Sequence, residues 1–170
     1  IIRFFNQNKT AKVTQVLCNN EHAKVIDRCK LLKISCLCFN KNDFLKKDTI
    51  LNLLKETTDY IVLAGFLWKI PENIVAAFPN KIINIHPALL PKYGGKGMYG
   101  MHVHKAVVAN KETETGITVH YVNQNYDEGA MIFQVKCKIS SLDTPESIAA
   151  KIHTLEMQHF PVIINDLLHE

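Results

Sequence analysis

Asn84-Ile85-His86-Pro87 sets an amide and an imidazole two residues apart. On a strand, alternate residues share a face, so Asn84 and His86 project together while Ile85 points into the opposite layer. Pro87 cannot donate to a strand ladder and ends it, which leaves His86 at the strand's exit. The amide can hydrogen-bond a carbonyl oxygen, and the imidazole can move a proton near neutral pH. A satisfied Asn–His pair in the core is the plainer reading. Two polar side chains on one face at a strand exit favour function over it. A third group stands about forty residues on, in Tyr126-Asp127-Glu128-Gly129-Ala130. A carboxylate in a turn is ordinarily turn chemistry, but one facing a histidine raises its pKa and favours the cation.

The stretch 82–104 also offers two competing chemistries, since it holds three His, two Pro and four Gly in 23 positions. Gly95-x-Gly97-x-x-Gly100 has the spelling of a dinucleotide loop. That motif needs a strand ending at its first glycine, yet His86 ends the strand here and Pro87, Pro91 and Tyr93 intervene. No acid ends a strand at the ribose position beyond it. The glycines read instead as a flexible loop that needs positive φ, placed as a mobile cover beside the site. A zinc site on His86, His102 and His104 is the other candidate. His102 and His104 would share a face on a strand but not on a helix, and they lie where a helix begins. No acidic ligand lies within 82–104, so surface or helix-capping histidines are expected and no metal.

These groups must be positioned by a chain of 170 residues, enough for one domain with a sizeable core. Hydrophobic residues make up 47% and charged residues 21%, an ordinary globular composition. No apolar run approaches a membrane span, and no cleavable leader is visible. The net charge of +4 comes from scattered lysines beside acids or Asn, which reads as a solvated surface and not as a nucleic-acid stripe. Such mild positive charge also suits a small phosphorylated or carboxylated substrate. Five cysteines at 18, 29, 36, 38 and 137, mostly in apolar runs, suit buried free thiols in a reducing cytoplasm.

Strand and helix patterns alternate along the chain. Strands are expected over 12–18, 35–39, 60–66, 81–86, 115–122 and 130–139, the last two as an antiparallel arm. Residues 60–66 are wholly apolar, as in a strand buried on both faces. Helices are expected over 22–32, 43–56, 71–78 and roughly 102–110. A last helix starts after Asp143 or Thr144 as N-cap, with Pro145 at its first position and Pro161 kinking or dividing it. The pattern describes an open α/β sheet, whose ligands bind beyond the carboxyl ends of the strands, after Gly65 and after His86. The opening residues 1–12 read as the tail of a helix, so the element before them is expected to be missing.

The segments "IINIHPALLPKYGG", "VLAGFLWKI", "GITVHYVNQNYDEGAMIFQ" and "IHTLEMQHFP" together resemble the phosphoribosylglycinamide formyltransferases. The likeness runs from about residue 12 to the C-terminus. The resemblance implies a single Rossmann-like formyltransferase domain over 1–170, with an open, mostly parallel sheet, flanking helices and an antiparallel C-terminal arm. It implies transfer of a formyl group from 10-formyltetrahydrofolate to the amine of phosphoribosylglycinamide in purine synthesis. Asn84, His86 and Asp127 correspond to the catalytic trio. Leu67, Trp68, Lys69 and Ile70 correspond to the segment whose backbone holds the pterin, with Asn84 beside it. Asn123, Gln124, Asn125, Tyr126 and Asp127 correspond to the loop that closes over the folate. His153, Thr154, Leu155 and Glu156 correspond to the segment contacting the ribonucleotide, with Glu156 on the ribose hydroxyls. His102, Thr118 and His120 correspond to supporting residues.

The family opens on a strand and a Gly-Ser-rich loop that grips the substrate phosphate at a helix N-terminus. The chain begins at what should be the next helix, so an N-terminally incomplete domain is expected, with no stable central sheet and poor substrate binding. "GGKGMYG" is longer than the turn in many members. His86-Pro87-Ala88 departs from the tRNA-directed formyltransferases and from the deformylases, whose pattern differs there. Alternatives are another folate-dependent formyltransferase or deformylase, or a non-catalytic folate-binding module. The resemblance implies small-molecule partners, the folate as cosubstrate and no metal, in a cytoplasmic monomer or homodimer. It also implies that Asp127 orients His86 and keeps it charged, so that protonated His86 and the Asn84 amide meet the oxyanion of the transfer step.

Overall fold

The computed structural model describes residues 1–169, which divide into two compact units, one of residues 1–59 and one from Tyr60 onward. The first unit runs α1 (Ile2–Asn8), β1 (Val16–Cys18), α2 (Val25–Leu32), β2 (Cys36–Cys38), α3 (Lys41–Leu45) and α4 (Thr49–Thr57). The strands β1 and β2 pair in parallel. Residues 1–12 do carry a helix, ended by Lys9 in a left-handed cap whose N–H bonds the Phe5 carbonyl. The single helix expected over 43–56 is instead two. Asn40 caps α3 by accepting from Asn42 N and Asp43 N. Between the two helices, Lys46-Lys47-Asp48 offers no apolar side chain to bury, whereas Phe44 before it and Ile50 after it are both buried. Ile50, Leu51 and Leu54 then form the apolar face of α4.

The second unit runs β3 (Ile61–Leu63), α5 (Glu72–Ala77), β4 (Ile82–His86), α6 (Met101–Ala109), β5 (Glu114–Tyr121), β6 (Met131–Lys138) and α7 (Pro145–Leu167). Its sheet has the order β3-β4-β5-β6. The β3–β4 pair is parallel, while β4–β5 and β5–β6 are antiparallel. The mixed α/β architecture read from the alternating pattern is present, and antiparallel pairing begins one strand earlier, at β4. β3 is shorter than the apolar run 60–66 and only half-buried, because Gly65 turns the backbone to φ 69° and Ala64 and Gly65 are exposed.

One face of β4 and β5 is a layer of isoleucine and valine. Ile83, Ile85, Ile117 and Val119 are buried, as are Val103 and Val107 of α6 and Ile148 and Ile152 of α7. α7 packs against β5, β6 and α6. Its start follows the expected chemistry. Thr144 Oγ1 accepts from Ser147 N at 3.2 Å, Ser147 Oγ accepts from Thr144 N at 3.0 Å, and Pro145 occupies the first turn. The expected division at Pro161 does not occur, and α7 runs through it unbroken. The missing N–H deprives only the carbonyl of Met157, an exposed residue where water can serve, while the Pro161 ring is buried beside Phe160.

Candidate active site

The register of β4 and β5 builds the site. Asn84 stands opposite His120 and His86 opposite Thr118. Cross-strand partners share a face, so these four polar side chains form one patch, two from each strand, opposite the aliphatic face. A bulge between Val119 and His120 interrupts the pairing with β6 at this point. Leu63, the last residue of β3, is the register partner of Asn84. The chain therefore leaves β3 next to Asn84 and runs on into the loop 67–70. Within it Leu67 and Lys69 are exposed, Trp68 is half-buried edge-on to Phe66, and Ile70 is buried.

Hydrogen bonds to carbonyls fix the protons of both imidazoles, since a carbonyl only accepts. His86 Nε2 lies 2.7 Å from the Tyr93 carbonyl, so Nε2 carries the hydrogen and Nδ1 is the face turned to Asp127, 3.6 Å from Oδ2. His120 Nδ1 donates to the Tyr121 carbonyl at 2.8 Å. Its Nε2 then accepts from Asn84 Nδ2 at 3.1 Å and lies 3.6 Å from Asp127 Oδ1. The Asn84 amide has two hydrogens, and His120 takes one of them. Asp127 stands between the two imidazoles at φ 56° and accepts from the Gly95 N–H at 2.9 Å.

Asp127 is delivered by the turn between β5 and β6, and Gly129 makes that turn possible. A Cβ on Gly129 would run into the Tyr121 carbonyl. On the other side of the patch, Thr118 is wholly buried and ties down the segment that follows His86. Its Oγ1 donates to the Ala88 carbonyl at 2.7 Å and accepts from Leu90 N at 3.0 Å and Gln134 Nε2 at 2.9 Å.

The electrostatics correct one expectation. Burial pulls the His86 imidazole below its ordinary range, and the opposing pulls of Asp127 and the Tyr93 carbonyl do not offset it. His86 is therefore neutral at rest and not held as a cation by Asp127. Burial alone would raise the Asp127 carboxyl, but His120, His86 and the Gly95 N–H together hold it below its usual range. The site at rest sets the Asp127 carboxylate beside a neutral His86 imidazole.

The remaining candidate residues are distributed unevenly. The glycine loop adopts the positive φ expected of it, and the Gly95 N–H fastens it to Asp127. His102 and His104 lie on α6, about 200° apart around the helix, and so face different ways. His102 is exposed with Tyr99 edge-on to its ring, as a surface histidine should be. His104 corrects the surface reading. It is buried, its Nδ1 has no partner, and burial and the field of His86 lower its pKa. Its spacing from His102 on a helix is the only hint in the sequence. The Tyr93 carbonyl and Gln134 have no signal there at all. In the loop 123–127, Asn123 Oδ1 accepts from Asn125 N, and Asn125 Nδ2 donates to Glu128. Gln124 and Asn125 are exposed, and Tyr126 is half-buried. His153 and Glu156 form a pair at 3.5 Å one turn apart on α7, beside exposed Thr154 and half-buried Leu155. Burial raises the Glu156 carboxyl against the opposing pull of His153. Among the described residues, no group of three or more His, Cys, Asp or Glu side chains is arranged to hold a metal ion.

Residues 1–164 match the formyl transferase family. The chain belongs to that family. It is 33% identical to a phosphoribosylglycinamide formyltransferase of Bacillus subtilis over 99% of this chain and 86% of that protein. It is 35% identical to the Haemophilus influenzae protein of the same name, over 91% and 73%. A chloroplastic relative from Arabidopsis thaliana is 42% identical over 69% of this chain, a match spanning only 40% of that protein's length. Among solved structures, glycinamide ribonucleotide transformylase 1 of Geobacillus kaustophilus superposes with a TM-score of 0.87 at 31% identity, covering 98% of this chain and 90% of that one. The formyl transferase fold of this chain is thus the one on which the Asn84, His86, Asp127 and His120 cluster is mounted.

Proposed function

We propose that the protein transfers a formyl group from 10-formyltetrahydrofolate to the amine of phosphoribosylglycinamide, as the names of its relatives describe for them. The observation that carries this reading is Asp127 between His86 and His120, with the Asn84 amide oriented by His120. The unprotonated amine attacks the formyl carbon and gives a tetrahedral carbon bearing an oxyanion and an ammonium. The second Asn84 amide hydrogen is a fixed donor for that oxyanion, and one such donor supplies about 3 kcal/mol. As negative charge develops, His86 takes a proton from the ammonium, and Asp127 holds the imidazolium that results. An imidazole neutral at rest and charged only at this stage stabilises the transition state and not the ground state. The ammonium proton passes through this pair to the departing folate nitrogen as the C–N bond breaks.

The loops 67–70 and 123–127 are our candidates for the folate, and His153 to Glu156 for the ribonucleotide. The reading carries the whole chain as one catalytic domain, a monomer or homodimer acting on small molecules. No described helix is long and apolar enough to cross a membrane, and five unpaired cysteines suit a reducing compartment such as the cytoplasm. The test is a formyl-transfer assay on purified full-length protein with both substrates, beside a folate-binding titration. Turnover that requires phosphoribosylglycinamide supports the reading. Folate binding without transfer, or release of formate without the acceptor, overturns it.

A further inference from the structure

The neutral His86 imidazole has one hydrogen and two acceptors that could take it. Asp127 Oδ2 lies 3.6 Å from Nδ1, and the Tyr93 carbonyl lies 2.7 Å from Nε2. A carboxylate is the stronger acceptor and, placed alone, would draw the hydrogen to Nδ1. The hydrogen stands on Nε2 because the carbonyl is held closer. Whatever holds that carbonyl decides which nitrogen of His86 is free to take a proton.

The holder is a strap of three residues, 93–95. Tyr93 sits at φ 58°, a left-handed conformation that a bulky residue keeps only where its surroundings fix it. Two residues on, the Gly95 N–H donates at 2.9 Å to the same Asp127 oxygen that faces His86. Gly94 lies between them with no room for a side chain. A Cβ there would meet Leu90 Cδ2 at 2.6 Å and Asp127 Cβ at 3.3 Å. The strap therefore grips both members of the His86–Asp127 pair.

Its tether is the Tyr93 hydroxyl, which donates to Glu112 Oε1 at 2.8 Å. Lys92 Nζ donates to the same oxygen at 2.9 Å from a more exposed position. Glu112 is fixed in turn by the end of α6. Lys111 takes φ 52°, its N–H bonds the Val108 carbonyl at 2.9 Å, and the Glu112 N–H bonds the Val107 carbonyl at 3.3 Å. This pair of bonds is the Schellman stop, and Val107 is buried in the core. A continuous path thus runs from α6 through Glu112 and the Tyr93 hydroxyl to His86 Nε2.

We propose that Glu112 is a positioning residue for His86: through the Tyr93 hydroxyl it keeps the Tyr93 carbonyl on Nε2 and so leaves Nδ1, facing Asp127, free to take the proton of the transfer step. Its catalytic consequence rests on the formyl-transfer reading above, whereas the choice of tautomer does not. With the tether cut, the strap relaxes, the carbonyl draws back, and the hydrogen moves to Nδ1, where Asp127 accepts it. His86 then turns its free nitrogen away from Asp127.

The experiment records nitrogen-15 spectra of the His86 imidazole in full-length protein without substrate at neutral pH, and steady-state formyl transfer by the same preparations. The unaltered protein shows the hydrogen on Nε2. Tyr93→Phe, which removes only the hydroxyl, and Glu112→Ala both bring up the Nδ1–H form. In both, kcat falls about tenfold or more while KM for each substrate stays within about twofold. Glu112→Gln still offers the hydroxyl an oxygen and restores the Nε2–H form and most of kcat. Combining Tyr93→Phe with Glu112→Ala costs no more than Tyr93→Phe alone, because one path is cut twice. The proposal is overturned by an unaltered protein with the hydrogen on Nδ1, by variants folded by circular dichroism that keep the Nε2–H form, or by a double variant whose loss is the product of the two single losses. If the unaltered protein transfers no formyl group, the reading above fails, and the tautomer spectra still decide the role of Glu112.

Discussion

Asp127→Asn separates the charge of the carboxylate from its shape. Asparagine tolerates the left-handed backbone found at φ 56° and still offers an oxygen to the Gly95 N–H. The turn should therefore stay in place, and the loss should report the charge alone. Two unit charges 3.6 Å apart, the distance from Asp127 to His86, attract by about 4.6 kcal/mol at an effective dielectric of about 20. The Asp127 side chain is 12% exposed, so solvent screens part of this. If half to all of the attraction acts on the charged transition state, kcat for formyl transfer falls about 50- to 2,000-fold. KM for the ribonucleotide should change little, because the charge pair exists only once the oxyanion has formed. The assay is steady-state formyl transfer by full-length protein, with far-ultraviolet circular dichroism to confirm the fold. A folded Asp127→Asn variant within about fivefold of the parent kcat would refute the role given to the charge.

Other outcomes follow from the same geometry. Thr118→Val strands the Ala88 carbonyl and the Leu90 N–H, while the Gln134 amide keeps only its bond to the Leu90 carbonyl. It should destabilise by about 2–4 kcal/mol in urea unfolding, and a variant within about 0.5 kcal/mol of the parent would remove Thr118 as the anchor. Gly129→Ala must push the turn away from the Tyr121 carbonyl. Loss of at least about 2 kcal/mol, with activity falling further than for Thr118→Val, is expected. Burial lowers the proton affinity of both His86 and His104 in the folded state, so the unfolded chain takes up protons first as pH drops below the free imidazole value of 6.5. Stability is full above that pH and is lost below it, by up to about 1.4 kcal/mol per pH unit for each histidine. Thermal melts at pH 7.5, 6.5 and 5.5 should show Tm falling across the series and falling less in His104→Asn, whereas a flat or rising Tm would contradict the assignment.

The sheet positions were legible because the code for them is local. Asn84-x-His86 before a proline states a face and a strand end, and Thr144-Pro145 states a helix start. What was not legible depends on chain folding over distance. Nothing near Asp127 indicates that it faces His86, and no propensity marks the Tyr93 carbonyl as a proton acceptor. The helix over 43–56 was misread because its period continues through Lys46-Lys47-Asp48, while burial, which sustains a helix in a protein, does not.

His104 was misread for a related reason. Polarity suggested the surface, but the helix turns a residue two positions along to another side, and the sheet decides which side is core. The deciding quantity is register. A slip of one residue between β4 and β5 would set Ile117 and Val119 opposite His86 and Asn84, and would turn Thr118 and His120 into the aliphatic layer. Burying two polar side chains there, and exposing Ile117 and Val119, would cost several kcal/mol. The apolar packing on one face of β5 is thus what holds His120 against Asn84 on the other. Substitutions in that core, such as Val119→Ala, should therefore lower catalytic rate as well as stability.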